Sequence, residues 1–230
     1  VSVYDEIRAS GNAVAVIDTA ARKMTASIPA EKFPYVLAVS PNGQQLFVTN
    51  HDFPAVTVID TKTNTVSQEI AVKPSPHSVA FSVDGRRAYV ANHFSNLITV
   101  LDTSNGAILA EIPAGRSPHS IAMAPDRSAV YVVDYDGNTV TVINPVTNAV
   151  TATIPVGVEP QCVAFAPDSK HAYVVNDGNN TVSVIDTATN KVTATLTTGQ
   201  DPTNVFVAPD GKHAYVTNIS SDNVTVLNTG

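Results

Sequence analysis

The chain has 230 residues, 43% of them hydrophobic and only 14% charged, which excludes disorder: a low-charge chain rich in Val and Ile buries enough apolar surface to offset the entropy of ordering it. With 13 basic against 20 acidic residues the net charge is −7, which argues against a nucleic-acid surface. The single Cys162 excludes an internal disulfide framework and a multi-cysteine metal site, and no run of about 18 apolar residues exists, so no membrane span is predicted.

In chain order, Val1 to Asp5 reads as the second strand of a partial repeat, and the absence of Met at position 1 fits a processed or trimmed chain. Ile17-Asp18-Thr19 then opens a series: Ile59-Asp60-Thr61, Leu101-Asp102-Thr103, Ile143-Asn144-Pro145, Ile185-Asp186-Thr187 and Leu227-Asn228-Thr229, each step 42 residues. Two further markers keep the same interval. One is Phe47-Val48-Thr49-Asn50, Tyr89-Val90-Ala91-Asn92, Tyr131-Val132-Val133-Asp134, Tyr173-Val174-Val175-Asn176 and Tyr215-Val216-Thr217-Asn218. The other is the series Pro34, Pro76, Pro118, Pro160 and Pro202. Complete units begin near Tyr35, His77, His119 and Gln161, and a last partial unit ends after a third strand, Val224 to Thr229.

Each complete unit holds four runs rich in Val, Ile, Thr and Tyr, separated by turn residues. In one unit they are 163–168, 171–176, 181–187 and 191–196. Asp84-Gly85 and Asp210-Gly211 suit tight hairpins. Four antiparallel strands in a repeat of about 40 residues predict an all-β fold, a single β-propeller domain over residues 1–230. A β-solenoid is the rival, but its repeats are usually shorter and it needs terminal caps that this chain lacks. Six blades use every strand; five result if the partial units merge, and a shortened seven-bladed parent is the third possibility.

Tyr215-Val216-Thr217-Asn218 and the run Asn180 to Thr195 (NTVSVIDTATNKVTAT) resemble the YVTN family of β-propeller repeats. Proteins of that family occur in archaeal surface layers and among exported bacterial proteins. The resemblance covers nearly the whole chain and implies a secreted location: extracellular, cell-surface or periplasmic. Its motif residues are blade architecture and imply no chemistry.

Strand polarity sorts the polar residues. In an antiparallel blade, the start of strand one and the end of strand two lie at the end that carries the second-to-third-strand loop. The six histidines form three pairs spaced by one repeat. His77 and His119 start first strands, His51 and His93 lie in second-to-third loops, and His171 and His213 belong to the opposite face. Copying a blade copies its histidine, which accounts for pairs as such. Equivalent residues of neighbouring first strands, however, converge on a propeller's axis. The ring Tyr35, His77, His119, Gln161 and Thr203 is therefore the candidate ligand-binding set, joined by His51, His93, Asp134, Tyr135, Glu159 and Asp177. Ordered channel water is the bland alternative for such a ring. His77 and His119 are the candidate ligands of a divalent metal or an acid–base pair, although two nitrogens are an incomplete ligand set.

The same face carries more acids than bases, so a cationic partner or ligand is expected there. Recurrent acids such as Asp18, Asp60, Asp102 and Asp186, or Asp84, Asp126, Asp168 and Asp210, read as turn caps. No GxSxG elbow, P-loop, HExxH or dinucleotide fingerprint occurs. Two function classes follow. One is an exported, non-enzymatic scaffold that binds a protein partner or small ligand at this face. The other is a metal-assisted lyase or lactonase-like hydrolase at the mouth of the central channel, since streptogramin lyases and sugar lactonases are similar propellers.

Overall fold

The structure, a computed structural model, describes residues 2–3 and 12–229. Six antiparallel sheets are formed by these residues, each a meander in which strands adjacent in sequence are hydrogen-bonded. The first has three strands, Ser2–Val3, Ala13–Asp18 and Lys23–Pro29. The second has four, Pro34–Val39, Gln45–Asn50, Ala55–Asp60 and Thr65–Ala71. The third repeats them as Pro76–Phe81, Arg87–Asn92, Leu97–Asp102 and Ile108–Pro113. The fourth is Pro118–Met123, Val130–Asp134, Thr139–Asn144 and Ala149–Pro155. The fifth is Pro160–Phe165, His171–Asn176, Thr181–Asp186 and Lys191–Thr197, and the sixth closes with three strands, Pro202–Val207, His213–Asn218 and Asn223–Asn228. This is the repeated sheet of a β-propeller blade, one per 42-residue period.

In the four-stranded sheets burial is greatest in the middle strands. Every residue of Val130–Asp134 is buried, whereas in Ala149–Pro155 only Ile154 is. Middle strands thus read as continuous apolar runs because both their faces are covered. Recurrent Asp side chains cap the turns as the sequence predicts: the carboxylate of Asp60 accepts the N–H groups of Lys62 and Thr63, and that of Asp84 accepts the N–H of Arg86.

The chain divides into two compact units, Val1–Glu111 and Ile112–Gly230, and Ile108–Pro113 runs across the division. In the first unit, the second and third sheets share a core of Phe47, Val56, Val58, Ile70, Val79, Ala88, Val90 and Leu101. Phe81 lies edge-on against Phe47, ring centroids 4.9 Å apart. In the second unit, Tyr131, Val140, Val142 and Ile154 of the fourth sheet pack on Val163, Val174 and Ile185 of the fifth, with Phe165 on Tyr131 at 4.7 Å. The fifth packs in turn on Val205, Ala214, Val216 and Leu227 of the sixth. No helix among the described residues is long and apolar enough to cross a membrane.

The first strand of the fifth sheet begins at Pro160, beside the expected unit start at Gln161 and three residues before the run 163–168. Its pairing register shifts between Pro160 and Cys162, a β-bulge that breaks the alternating pattern.

Candidate functional site

Two local devices place the candidate side chains, and both recur from blade to blade. The first is that bulge. Pro76 pairs with Asn92 but Ser78 with Ala91, so His77 is the extra residue; Gln161 and Thr203 are extra in the same way, and Tyr35 and His119 fall inside the corresponding irregularities. A bulge re-aims the side chain it carries. The second is a left-handed residue before each proline: Phe33, Ser75, Ser117, Glu159 and Asp201, with φ between 52° and 57°. Such backbone costs about 1 kcal/mol in a residue with a Cβ. Its carbonyl accepts the N–H of the residue after the second strand: Phe33 from His51, Ser75 from His93, Ser117 from Tyr135, Glu159 from Asp177 and Asp201 from Ile219. The second-to-third loop is thereby tied beside the start of the first strand.

In the first unit these devices gather Tyr35, His51, His77 and His93. The Tyr35 ring meets His77 edge-on at 4.4 Å between centroids, and His77 lies 5.5 Å from His51 and 5.6 Å from His93. Phe33 stacks on Tyr35 at 5.9 Å, and Phe94 meets His93 at 5.1 Å. His77 is buried; Nδ1 of His51 is 2.9 Å from an Asp52 carboxylate oxygen.

In the second unit they gather His119, Tyr135, Glu159, Gln161 and Asp177. Nδ1 of His119 is 3.0 Å from the main-chain oxygen of Gln161. A carbonyl only accepts, so Nδ1 carries the hydrogen and the basic lone pair of the neutral ring is on Nε2. The Tyr135 ring lies 5.5 Å from the His119 ring. Gln161 Nε2 donates to Asp177 Oδ2 at 3.1 Å. Desolvation first, then the charges of Glu159, Asp177 and Asp136, push the Tyr135 phenol above its ordinary range, and the phenol donates to Glu159. Burial likewise pushes up the Cys162 thiol, whose Sγ accepts from Ser120 Oγ at 3.9 Å.

Asp134 takes a different place. Its side chain is buried at the end of its strand, where Oδ2 accepts the hydroxyls of Thr139 and Thr141, both at 2.8 Å. Loss of solvent raises its carboxyl to about 6 against the pull of those hydroxyls. Asp134 supports the loop that carries Tyr135 and does not itself meet solvent. Thr203 shares a hydrogen bond with Thr217 of its own sheet at 3.1 Å.

As regards a metal, His77 stands with two further histidines and His119 with Tyr135 and Gln161. Among the described residues no group of three or more His, Cys, Asp or Glu side chains is arranged to hold an ion. Four contributors are absent from the sequence-derived set: Phe33, Phe94, Ser117 and Asp136. The hydroxyl of Ser117 donates to the Asp136 carboxylate, and the Arg116 guanidinium donates to the Asp136 main-chain oxygen. Their signal was the position before each proline and the second residue of each second-to-third loop, both of which vary from repeat to repeat.

A family model described as "Lactonase, 7-bladed beta-propeller" matches residues 4–230. The hydrazine synthase of Kuenenia stuttgartiensis is similar in structure, with a TM-score of 0.80 and 27% identity over 86% of this chain and 63% of that one. A functionally unknown protein from Desulfotomaculum acetoxidans DSM 771 gives 0.83 at 16% identity, over 96% of this chain and 77% of that one, a likeness of fold alone. The chain thus spans about 63% of the length of the first of these. No curated protein matches the sequence.

Proposed function

We infer a function from one premise: the chain belongs to the lactonase family of seven-bladed β-propellers. The reaction that fits the second unit is hydrolysis of a lactone, with His119 as general base. One observation carries this reading, the hydrogen bond that fixes Nδ1 of His119 as the protonated nitrogen. Nε2 is then the base. It removes a proton from water as the water oxygen bonds to the lactone carbonyl carbon and the carbonyl electron pair moves onto its oxygen. Collapse of the tetrahedral intermediate breaks the ring C–O bond, and the imidazolium returns its proton to the departing alkoxide. One water and one lactone give one hydroxy acid, which ionises to solvent. The Gln161 amide nitrogen has two hydrogens; one is donated in a hydrogen bond to Asp177, and the other is the donor for the developing oxyanion. A general base in this position contributes about 10²- to 10⁴-fold.

The test is to follow proton release from δ-gluconolactone, γ-butyrolactone and homoserine lactone. Saturable hydrolysis is expected, falling about 100-fold or more in His119→Ala with an unchanged unfolding midpoint. A folded protein that opens none of them above the spontaneous rate overturns the reading.

The unbroken 42-residue spacing, without loop insertions, favours a second reading. In it the chain is an exported scaffold of the YVTN, surface-layer type, outside the cell or in the periplasm, holding a cationic ligand or partner without turnover. Its expected result is saturable binding with no product.

A further inference from the structure

We propose that Asp177 is a positioning residue of the His119 site, holding the Gln161 amide with its nitrogen turned to serve the developing oxyanion. The inference rests on the hydrolase reading. It starts from a pairing that recurs from the second sheet to the fifth. The side chain at the irregularity of the first strand meets that of the residue after the second strand of the same sheet. The rings of Tyr35 and His51 are 5.9 Å apart, those of His77 and His93 5.6 Å, and those of His119 and Tyr135 5.5 Å. In the fifth sheet the pair is Gln161 and Asp177, and the contact is a hydrogen bond from Nε2 to Oδ2 at 3.1 Å. Blade architecture does not select an acid there. The equivalent residues are His51, His93, Tyr135 and Ile219, and the bond that mounts each of them beside the first strand is made by the main chain. The mount of Asp177 is held from several sides. Its N–H donates to the Glu159 carbonyl at 3.0 Å, and its own carbonyl accepts from Asn180 at 3.2 Å. Asn176 before it is buried and bonded to Thr181 and Ser183. What the carboxylate adds is polarity. A glutamine side chain ends in a donor and an acceptor of nearly the same shape, and a half-turn exchanges them. An ionised carboxylate only accepts, so it bonds the amide nitrogen and repels the amide oxygen. One of the two orientations survives. The second amide hydrogen is then fixed in advance, with no reorganisation as the oxyanion forms, which is what gives such a donor its effect. Asp177 acts through Gln161 and touches no substrate itself.

The experiment combines kinetics of the whole chain on δ-gluconolactone, γ-butyrolactone and homoserine lactone with the side-chain amide resonances of Gln161. Asp177→Ala should lower kcat about tenfold, with KM changed less than about twofold. Asp177→Asn keeps an accepting oxygen and should lose less. In the Gln161→Leu background, Asp177→Ala should cause no further loss, whereas a residue that merely supports the loop would lower activity there too. In nitrogen-15 spectra the Gln161 amide pair should shift in Asp177→Ala while the His119 imidazole nitrogens stay in place. A further loss in the Gln161→Leu background, or an unmoved Gln161 amide in folded Asp177→Ala, overturns the proposal. If no lactone is opened, the same spectra separate the two failures. A displaced amide then sinks the hydrolase reading and supports orientation by Asp177, and an unmoved amide sinks both.

Discussion

The main-chain oxygen of Gln161 accepts a hydrogen bond from Nδ1 of His119 at 3.0 Å, so the first strand of one blade sets the tautomer of a side chain on the blade before it. The acceptor is backbone, and the arrangement therefore survives changes to the Gln161 side chain. Gln161→Leu should leave the His119 Nδ1 hydrogen in place, seen in the nitrogen-15 shifts of the imidazole. It should lower lactone kcat/KM about tenfold or more through loss of the amide donor. A collapse of the tautomer signal would show that the side chain, not the carbonyl, orients the ring.

Asp134 stands where four other sheets carry Asn50, Asn92, Asn176 and Asn218. Those amides donate to the hydroxyls of Thr57, Thr99, Ser183 and Thr225, whereas Asp134 can only accept once ionised. Desolvation raises its folded-state pKa from 3.8 to about 6. A raised folded pKa means that the stabilising form is the protonated one. Its contribution is full below about pH 4 and is lost as pH rises through about 6. Asp134→Asn should therefore be more stable than the parent at pH 8, by up to about 3 kcal/mol, and equal to it near pH 4. Denaturant unfolding at the two pH values checks this; a variant weaker at pH 8 would show that the carboxylate has a stabilising partner.

The blade period was legible because turn chemistry and middle-strand burial repeat in step: Asp60 and Asp102 cap the same turn, and Phe47 and Tyr89 fill the same slot. The bulge within the first strands was not, because no residue type marks the extra residue at His77 or Gln161 that breaks the alternation there. Spacing by one repeat groups equivalent residues of different blades, as in the pairing of His77 with His119. The contacts that gather His77 with His93, or His119 with Tyr135, rest on a loop N–H bonded to the carbonyl of a left-handed residue, and no residue type announces that bond. The burial of Asp134 was foreshadowed by the asparagines at its equivalents.

Gly157 and Gly43 test backbone constraint in opposite ways. A Cβ on Gly157 would lie 2.5 Å from Cγ of Asn176, a buried side chain fixed by Thr181, Ser183 and the Gly157 N–H itself. Gly157→Ala should destabilise by about 2–4 kcal/mol and disturb the adjoining Asp177. A Cβ on Gly43 meets nothing within 4 Å, but its φ is +72°, so Gly43→Ala should cost only about 1–2 kcal/mol of left-handed strain. Equal midpoints for the two variants in urea would contradict the packing around Asn176.

Tyr131 and Tyr215 occupy the same slot two repeats apart, yet Tyr131 is 0% exposed and Tyr215 41%. The fifth sheet covers Tyr131, with Phe165 on its ring and Asn190 Oδ1 accepting its hydroxyl. Burial, with Asp186 nearby, pushes that phenol up to about 12. Tyr215 shares its exposed stripe with Phe206 and Val226, its direct cross-strand partners. If packing and not residue type sets the value of the slot, Tyr131→Ala should cost about 3–5 kcal/mol and Tyr215→Ala less than about 1. Ultraviolet titration supplies a second measure: Tyr131 should ionise later than an ordinary phenol, and Tyr131→Phe should reduce the late-ionising absorbance by one phenol, leaving that of the other raised tyrosines. Comparable losses for the two alanine variants would mean that Tyr215 is covered in solution, and the open face of the last sheet would then have to be closed by something bound to it.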